Sequence, residues 1–245
     1  MTELKNTSFL PEKMQVLSGS VLKVIAMVVM LIDHGAFILL TQYPPAMRPL
    51  FTLGDTGYSL YRICRDIGRI AFPIFCFLLV EGFLHTRNRW KYGRNLFLFA
   101  CISEIPWNYM FANTYRYEKQ NVFFTLFLGY LAFCAIEYFW EKRSHQFLCV
   151  LALLAVSVFL NADYGWKGFI FLLIMYWFRS EKPAQAIIGS CWLYYEWKAC
   201  FAFLFINMYN GKRGFIKGKA AKYFFYAFYP LHITILVLLR KFLFF

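Results

Sequence analysis

The sequence predicts an all-α protein, a polytopic bundle of membrane helices. Of its 245 residues 60% are hydrophobic and 22% aromatic, against 16% charged, and the apolar residues fall into eight runs of near membrane-crossing length. The positive charge lies between those runs. A soluble domain averages about 45–50% apolar and about 25% charged residues, so the composition excludes a soluble enzyme, a disordered chain and a secreted disulfide scaffold. The 26 Lys+Arg against 13 Asp+Glu leave a formal net charge of +13. Placed in bursts between apolar runs, that excess follows the positive-inside rule, and no nucleic-acid partner is expected.

Crossing the hydrocarbon core takes about 20 helical residues, with a range of roughly 17–25. The segments that qualify are 21–41, 68–84, 95–112, 121–140, 146–162, 164–178, 184–209 and 223–239. Roughly twenty mostly polar residues precede the first, with no small-residue cleavage site after it, so that segment is expected to be an uncleaved anchor behind a cytoplasmic tail, residues 1–20. Arg87, Arg89, Lys91 and Arg94 follow the second segment, Lys142 and Arg143 the fourth, Arg179 and Lys182 the sixth. These loops are expected on the cytoplasmic side, as is the amino terminus with Lys5, Lys13 and Lys23. Strict alternation would then put the loop 211–222 outside, although it carries Lys212, Arg213, Lys217, Lys219 and Lys222. The seventh segment holds the remedy. Glu196-Trp197-Lys198 interrupts it, which is costly in lipid and comfortable at a turn, so it is expected to split into 184–195 and 197–209 and return the chain to the cytoplasm. This makes about nine membrane helices; the alternative is one long tilted helix. No internal repeat is visible, and a single domain over 1–245 is expected in the bacterial inner membrane.

The seven cysteines, Cys64, Cys76, Cys101, Cys134, Cys149, Cys191 and Cys200, show no metal-ligand spacing. They are expected to be small buried hydrophobes, with no metal site and no disulfide framework.

An acidic residue at mid-helix costs roughly 2.5–3.5 kcal/mol on insertion scales and marks function by default. Asp33 and His34 lie about 12 residues into the first segment, about 18–20 Å deep at 1.5 Å per residue. Glu104 and His232, each about 9 residues into its own segment, reach a similar depth by the same count. Glu81 falls in the cytoplasmic half with His85 at the exit, while Arg69 and Asn121 begin their segments near the outer face. With Tyr229, these groups are expected to line a polar path. Neighbours on a helix point about 100° apart, so adjacency alone does not make Asp33 and His34 a catalytic pair. If His34 is a base, its orienting acid comes from another helix, with Glu104 the natural choice. Asp33 and Glu104 also admit a structural reading, as partners of Arg69 or of backbone freed by Pro73, Pro106 or Pro230. His232 admits one too, as an interhelical hydrogen bonder. The basic cluster Arg87 to Arg94 serves topological anchoring, phosphate recognition through the guanidinium fork, or both.

The residues resemble the TraX family of membrane acetyltransferases, which takes its name from the protein that acetylates the amino terminus of conjugative pilin. The resemblance rests on Leu22-Lys23-Val24-Ile25-Ala26 with Met30, Asp33 and His34, and on Gly68-Arg69-Ile70-Ala71-Phe72-Pro73-Ile74-Phe75. It continues through Glu81-Gly82-Phe83-Leu84-His85-Thr86-Arg87-Asn88, Ile102-Ser103-Glu104-Ile105-Pro106 and Gln120-Asn121-Val122-Phe123-Phe124-Thr125-Leu126. It ends on Phe225-Tyr226-Ala227-Phe228-Tyr229-Pro230-Leu231-His232. It implies acyl transfer from cytosolic acetyl-CoA to an envelope acceptor: a glycan, a lipid-linked molecule or a peptide. The family is distantly similar to the membrane acyltransferases of bacterial polysaccharides and heparan glucosamine, whose base is a membrane-embedded histidine. Carried over, His34 would be the base, Asp33 and Glu104 would tune or orient it, and Arg69 would stabilise the oxyanion, with His232 in the same catalytic layer. Arg87, Arg89, Lys91, Arg94 and His85 would meet the CoA phosphates. The weaker stretch 141–221 is where acceptor choice is expected. A small-solute or ion transporter with an Asp/His/Glu midplane site is the alternative, although the repeated halves of many transporter folds are missing.

Overall fold

The computed structural model describes residues 9–216 and 218–244. Nearly all regular structure is helical: α1 (Gly19–Leu39), α2 (Leu60–Gly68), α3 (Ala71–His85), α4 (Arg89–Ala112), α5 (Val122–Tyr138), α6 (Arg143–Phe159), α7 (Gly165–Trp177), α8 (Lys182–Trp192), α9 (Ala202–Asn207) and α10 (Lys219–Phe244). Among the described residues, three stretches are long and apolar enough to cross a membrane: Gly19–Gln42, Leu60–His85 and Tyr223–Phe244. Shorter apolar helices are Val122–Tyr138, Arg143–Phe159 and Gly165–Trp177. The molecule reads as a membrane protein. Lys5 and Lys217, and the side chains of Lys219 and Lys222, all used to argue orientation, lie outside the described residues.

The structure departs from the expected elements at three places. The second segment begins eight residues before Gly68, at Leu60. Arg62, Arg65 and Asp66 depress its hydropathy but do not stop the helix, which Ser59 caps by accepting from Arg62 N and which ends at Gly68, with Arg69 as its C-cap. Ahead of it lies a hairpin absent from an all-α expectation, β1 (Pro49–Leu53) paired antiparallel with β2 (Thr56–Ser59). Its two-residue turn puts Gly54 at φ +59°, the sign such turns require of their first central residue. The cysteines also differ: Cys76 is buried, but Cys101 and Cys191 are exposed on helix surfaces. A thiol on an outward helix face needs no burial where the surroundings are themselves apolar.

The chain groups into two compact units, one built on Cys76–Trp192 and one on Leu10–Phe75 with Leu193–Phe245. In the first, α5 packs on α4, α6 and α7, and α7 on α6 and α8. Its centre is an aromatic stack. Phe83 meets Tyr130, Phe133 and Tyr176 edge-on at 5.5, 5.5 and 5.8 Å, and Phe133 lies parallel to Tyr176 at 4.6 Å. The helices run up and down, so the basic loops after α3, α5 and α7 share one end. There Tyr130 Oη donates to Arg89 O (2.7 Å) and Tyr176 Oη donates to Glu137. At the other end Trp107 Nε1 donates to Lys119 O and Trp192 Nε1 to Lys167 O.

In the second unit α1 packs on α2 and on α10. α2 is antiparallel to α1 across the hairpin. α10 is parallel to it, since Lys23 lies over Phe225 near one end and His34 meets His232 farther along. The amino end of α1 is clamped by the basic loop: Gly19 N donates to Lys212 O and Ser20 N to Arg213 O, both at 2.9 Å, and Ser20 Oγ accepts from Ile216 N at 2.8 Å. Lys212 and Arg213 therefore share the end of this unit where α1 begins. The break expected at Glu196–Lys198 is present as well. A 3-10 stretch, Tyr194–Phe201, separates α8 from α9, and Glu196 leaves helical geometry at φ −132°, ψ 47°.

Candidate active site

The second unit buries a pair of imidazoles. His34 on α1 and His232 on α10 are both buried, and His34 Nδ1 lies 2.7 Å from His232 Nε2 with the rings within 5° of parallel. The backbone fixes the proton positions. His232 Nδ1 is 2.7 Å from Phe228 O, a group that can only accept, so His232 carries its proton on Nδ1 and presents a lone pair at Nε2. His34 then donates from Nδ1, which leaves its own Nε2 as a lone pair. Phe228 stacks on His232 at 4.7 Å, and Tyr229 packs edge-on against both imidazoles at 6.0 and 5.7 Å. The partner that orients His34 is thus His232, the residue whose structural reading was an interhelical hydrogen bond.

Asp33 faces α2. Its Oδ2 accepts from Arg65 Nη1 at 2.8 Å, and Arg65 also lies over the Phe37 ring at 5.2 Å. Asp33 Oδ1 is buried without a hydrogen-bond partner among the described residues. It presses on Gly68, where a Cβ would sit 2.2 Å from Asp33 Cβ and 2.3 Å from Oδ1. Only glycine fits this crossing. Gly68→Ala is expected to push α2 off α1 and destabilise the protein by about 1–3 kcal/mol, the usual cost of overpacking; an unchanged melting temperature in detergent would remove this contact from the account.

Arg69, one of the partners weighed for Asp33, pairs through Nε with Glu196 Oε2 at 3.0 Å, and Asp66 pairs with Lys198. Three ion pairs thus run along α2: Arg65 with α1, and Asp66 and Arg69 with the break after α8. Beside them a cavity of about 310 Å³ is walled by Tyr58, Ile67, Trp197 and Phe201, with Asp66 and Lys198 on its rim. Sequence reading missed Arg65 and Asp66. The available signal was their count, since four ionisable residues in ten ahead of an apolar run need partners.

In the first unit, Glu104 and Asn121 form one joint. Asn121 caps α5 by accepting from Phe123 N, donates from Nδ2 to Ala100 O (2.8 Å) and to Glu104 Oε1, and its backbone N donates to the same carboxylate oxygen at 2.9 Å. Glu104 is thus engaged by Asn121, rather than by Arg69 or by backbone freed by a proline. Glu81 O and His85 Nδ1 lie 2.9 Å apart, and the His85 side chain is largely exposed. Of the expected phosphate ligands, Arg87, Arg89, Lys91 and Arg94 are all exposed. Arg89 lies over the Phe83 ring at 4.4 Å with its Nη2 3.7 Å from Glu137 Oε2. A cavity of about 640 Å³ opens there, lined by Arg89, Cys134, Ala135, Glu137, Tyr138 and Phe139.

A model of the family described as TraX protein matches residues 18–240. The chain is also similar to a probable fimbrial assembly protein FimC, serogroup H1, of Dichelobacter nodosus, with 30% identity over a 252-residue alignment that covers 91% of this chain and 95% of that protein. No solved structure matches the chain.

Proposed function

Because the chain belongs to the TraX family, we propose that it is a membrane-embedded acyltransferase that moves an acetyl group from acetyl-CoA to an amine or hydroxyl of an envelope acceptor. The observation that carries this reading is the His34–His232 pair. A general base needs a lone pair held in one orientation and a second group to steady the charge it acquires. His34 Nε2 supplies the first and His232 Nε2, fixed by Phe228 O, the second.

In the proposed step the acceptor's N–H or O–H loses its proton to His34 Nε2 as its heteroatom attacks the thioester carbonyl. The tetrahedral intermediate collapses with cleavage of the C–S bond, and the proton on His34 passes to the departing thiolate, giving acetylated acceptor and free CoA. Arg65 and Arg69 are the cations of α2 available for the oxyanion, Arg69 once released from Glu196. Donor phosphates meet the basic end of the first unit, where Arg87, Arg89, Lys91, Arg94 and His85 gather. In this reading that end and the amino terminus face the cytoplasm across the bacterial inner membrane. The name of the D. nodosus relative favours a pilus subunit as acceptor, with envelope glycans and lipid-linked molecules as the other classes.

The test is incubation of membranes holding the protein with radiolabelled acetyl-CoA and, separately, with pilin, glycan and lipid fractions. Acetyl label in one fraction, dependent on the protein, is the expected result. No label in any fraction, together with solute or proton movement in reconstituted vesicles, would replace this reading with the transporter.

A further inference from the structure

The cavity at the junction of α4 and α5 has the build of a nucleotide site. Its volume, about 640 Å³, falls within the range of about 300–1,000 Å³ typical of small-molecule sites. One wall is aromatic, from Tyr138 and Phe139, whose rings meet edge-on at 4.8 Å. The only charged groups lining it are Arg89 and Glu137. The Arg89 guanidinium carbon lies 4.4 Å from the centre of the Phe83 ring, part of the aromatic stack, its side chain is 47% exposed, and among the described residues the guanidinium makes no hydrogen bond. Its ion pair with Glu137, at 3.7 Å, is too long for one. Glu137 is turned aside, because its Oε1 accepts from Tyr176 Oη. A planar fork with unused donors beside aromatic faces matches a phosphate attached to a purine.

We infer that this cavity binds the nucleotide end of the acyl donor, with a phosphate on the Arg89 fork and the adenine against Tyr138 and Phe139, while Glu137 weakens that binding as a built-in negative charge. The inference rests on the acetyl-CoA reading and narrows its basic cluster from five side chains to one anchoring arginine. Arg87, Lys91 and Arg94 then act at the lipid surface, on either side of the exposed Trp90.

The experiment is calorimetry on the full chain in nanodiscs of zwitterionic lipid, titrated with CoA, 3′-dephospho-CoA and pantetheine. Pantetheine is expected to bind at least about tenfold more weakly than CoA, the scale of one charge-assisted contact. Arg89→Gln is expected to lose about tenfold for CoA and nothing for pantetheine. Glu137→Gln, which still accepts from Tyr176, is expected to bind CoA several-fold more tightly. Arg89 anchors Tyr130 only through its backbone carbonyl, so its side chain can change without removing that bond; Arg89→Lys keeps the charge but not the fork, and is expected to fall between. Unchanged CoA affinity in Arg89→Gln, with loss in an Arg87→Gln/Lys91→Gln/Arg94→Gln variant, overturns the assignment. So does a site that responds to phosphatidylglycerol in the nanodisc while CoA fails to compete. Either failure leaves acetyl transfer from acetyl-CoA intact, whereas failure of the acyltransferase reading removes transfer and CoA binding from the unaltered protein.

Discussion

Replacing His34 with alanine is expected to abolish acetyl transfer while the protein still inserts and purifies normally. The imidazole is buried yet makes a single polar contact, to His232, so truncation leaves one lone pair unmet and a small void. The chemistry loses more, since a positioned base contributes about 10²–10⁴-fold. His232 gives a sharper diagnosis. His232→Ala keeps the base but frees its tautomer and its ring, and groups that orient another group in this way are worth about 10–100-fold. A glutamine at position 232 presents a carbonyl oxygen near the lost Nε2 and is expected to recover part of the rate. The loss should appear in kcat with KM for acetyl-CoA unchanged, because His232 has no role in donor binding. Full activity of His34→Ala would sink the base assignment. A His232→Ala variant that changes KM alone would reduce the pair to a packing contact.

The second large effect is on stability. Asp33→Leu leaves the Arg65 guanidinium, about one-fifth exposed, without its carboxylate, and breaking a buried pair from one side costs about 3–5 kcal/mol. Replacing both partners with apolar residues is often neutral or better, so Asp33→Leu/Arg65→Leu is expected to melt near the parent protein. Thermal unfolding in detergent of both single variants and the double variant completes the cycle. Simple addition of the two single losses would show that the pair does not hold α1 to α2. If the double variant regains stability but not acetyl transfer, the pair acts on the chemistry as well as on the helix contact.

Helices were legible because a bilayer imposes one demand, satisfied backbone inside an apolar run, and each expected segment has a helix at its place. The interruption at Glu196–Lys198 was legible for the same reason: an acid and a base in a greasy stretch have to leave the helix or find partners. Which partners they find was not legible. Lys198 meets Asp66 across 132 positions of sequence and His34 meets His232 across 198, and helix rotation, unlike depth, is set by packing that one sequence does not report. Depth alone favoured Glu104 as the group orienting His34. The structure gives that carboxylate to Asn121, whose position just ahead of α5 as an N-cap was the local clue. The start of α2 was hidden by averaging, since a hydropathy window counts Arg65, Asp66 and Arg69 as obstacles without seeing that each is matched. The hairpin had a signal in Gly54-Asp55 between apolar and aromatic residues, a short turn pattern that hydropathy reading passes over.

The two imidazoles belong to α1 and α10, the first and last α-helices among the described residues, and this bears on the protein's biosynthesis. At about 5–20 residues per second, the 198 positions between them mean that His34 enters the membrane about 10–40 s before His232 is made. A ribosome-bound chain, or one truncated before α10, therefore holds His34 without its imidazole partner. On the proposed function, a product cut short before α10 is expected to insert but remain inert.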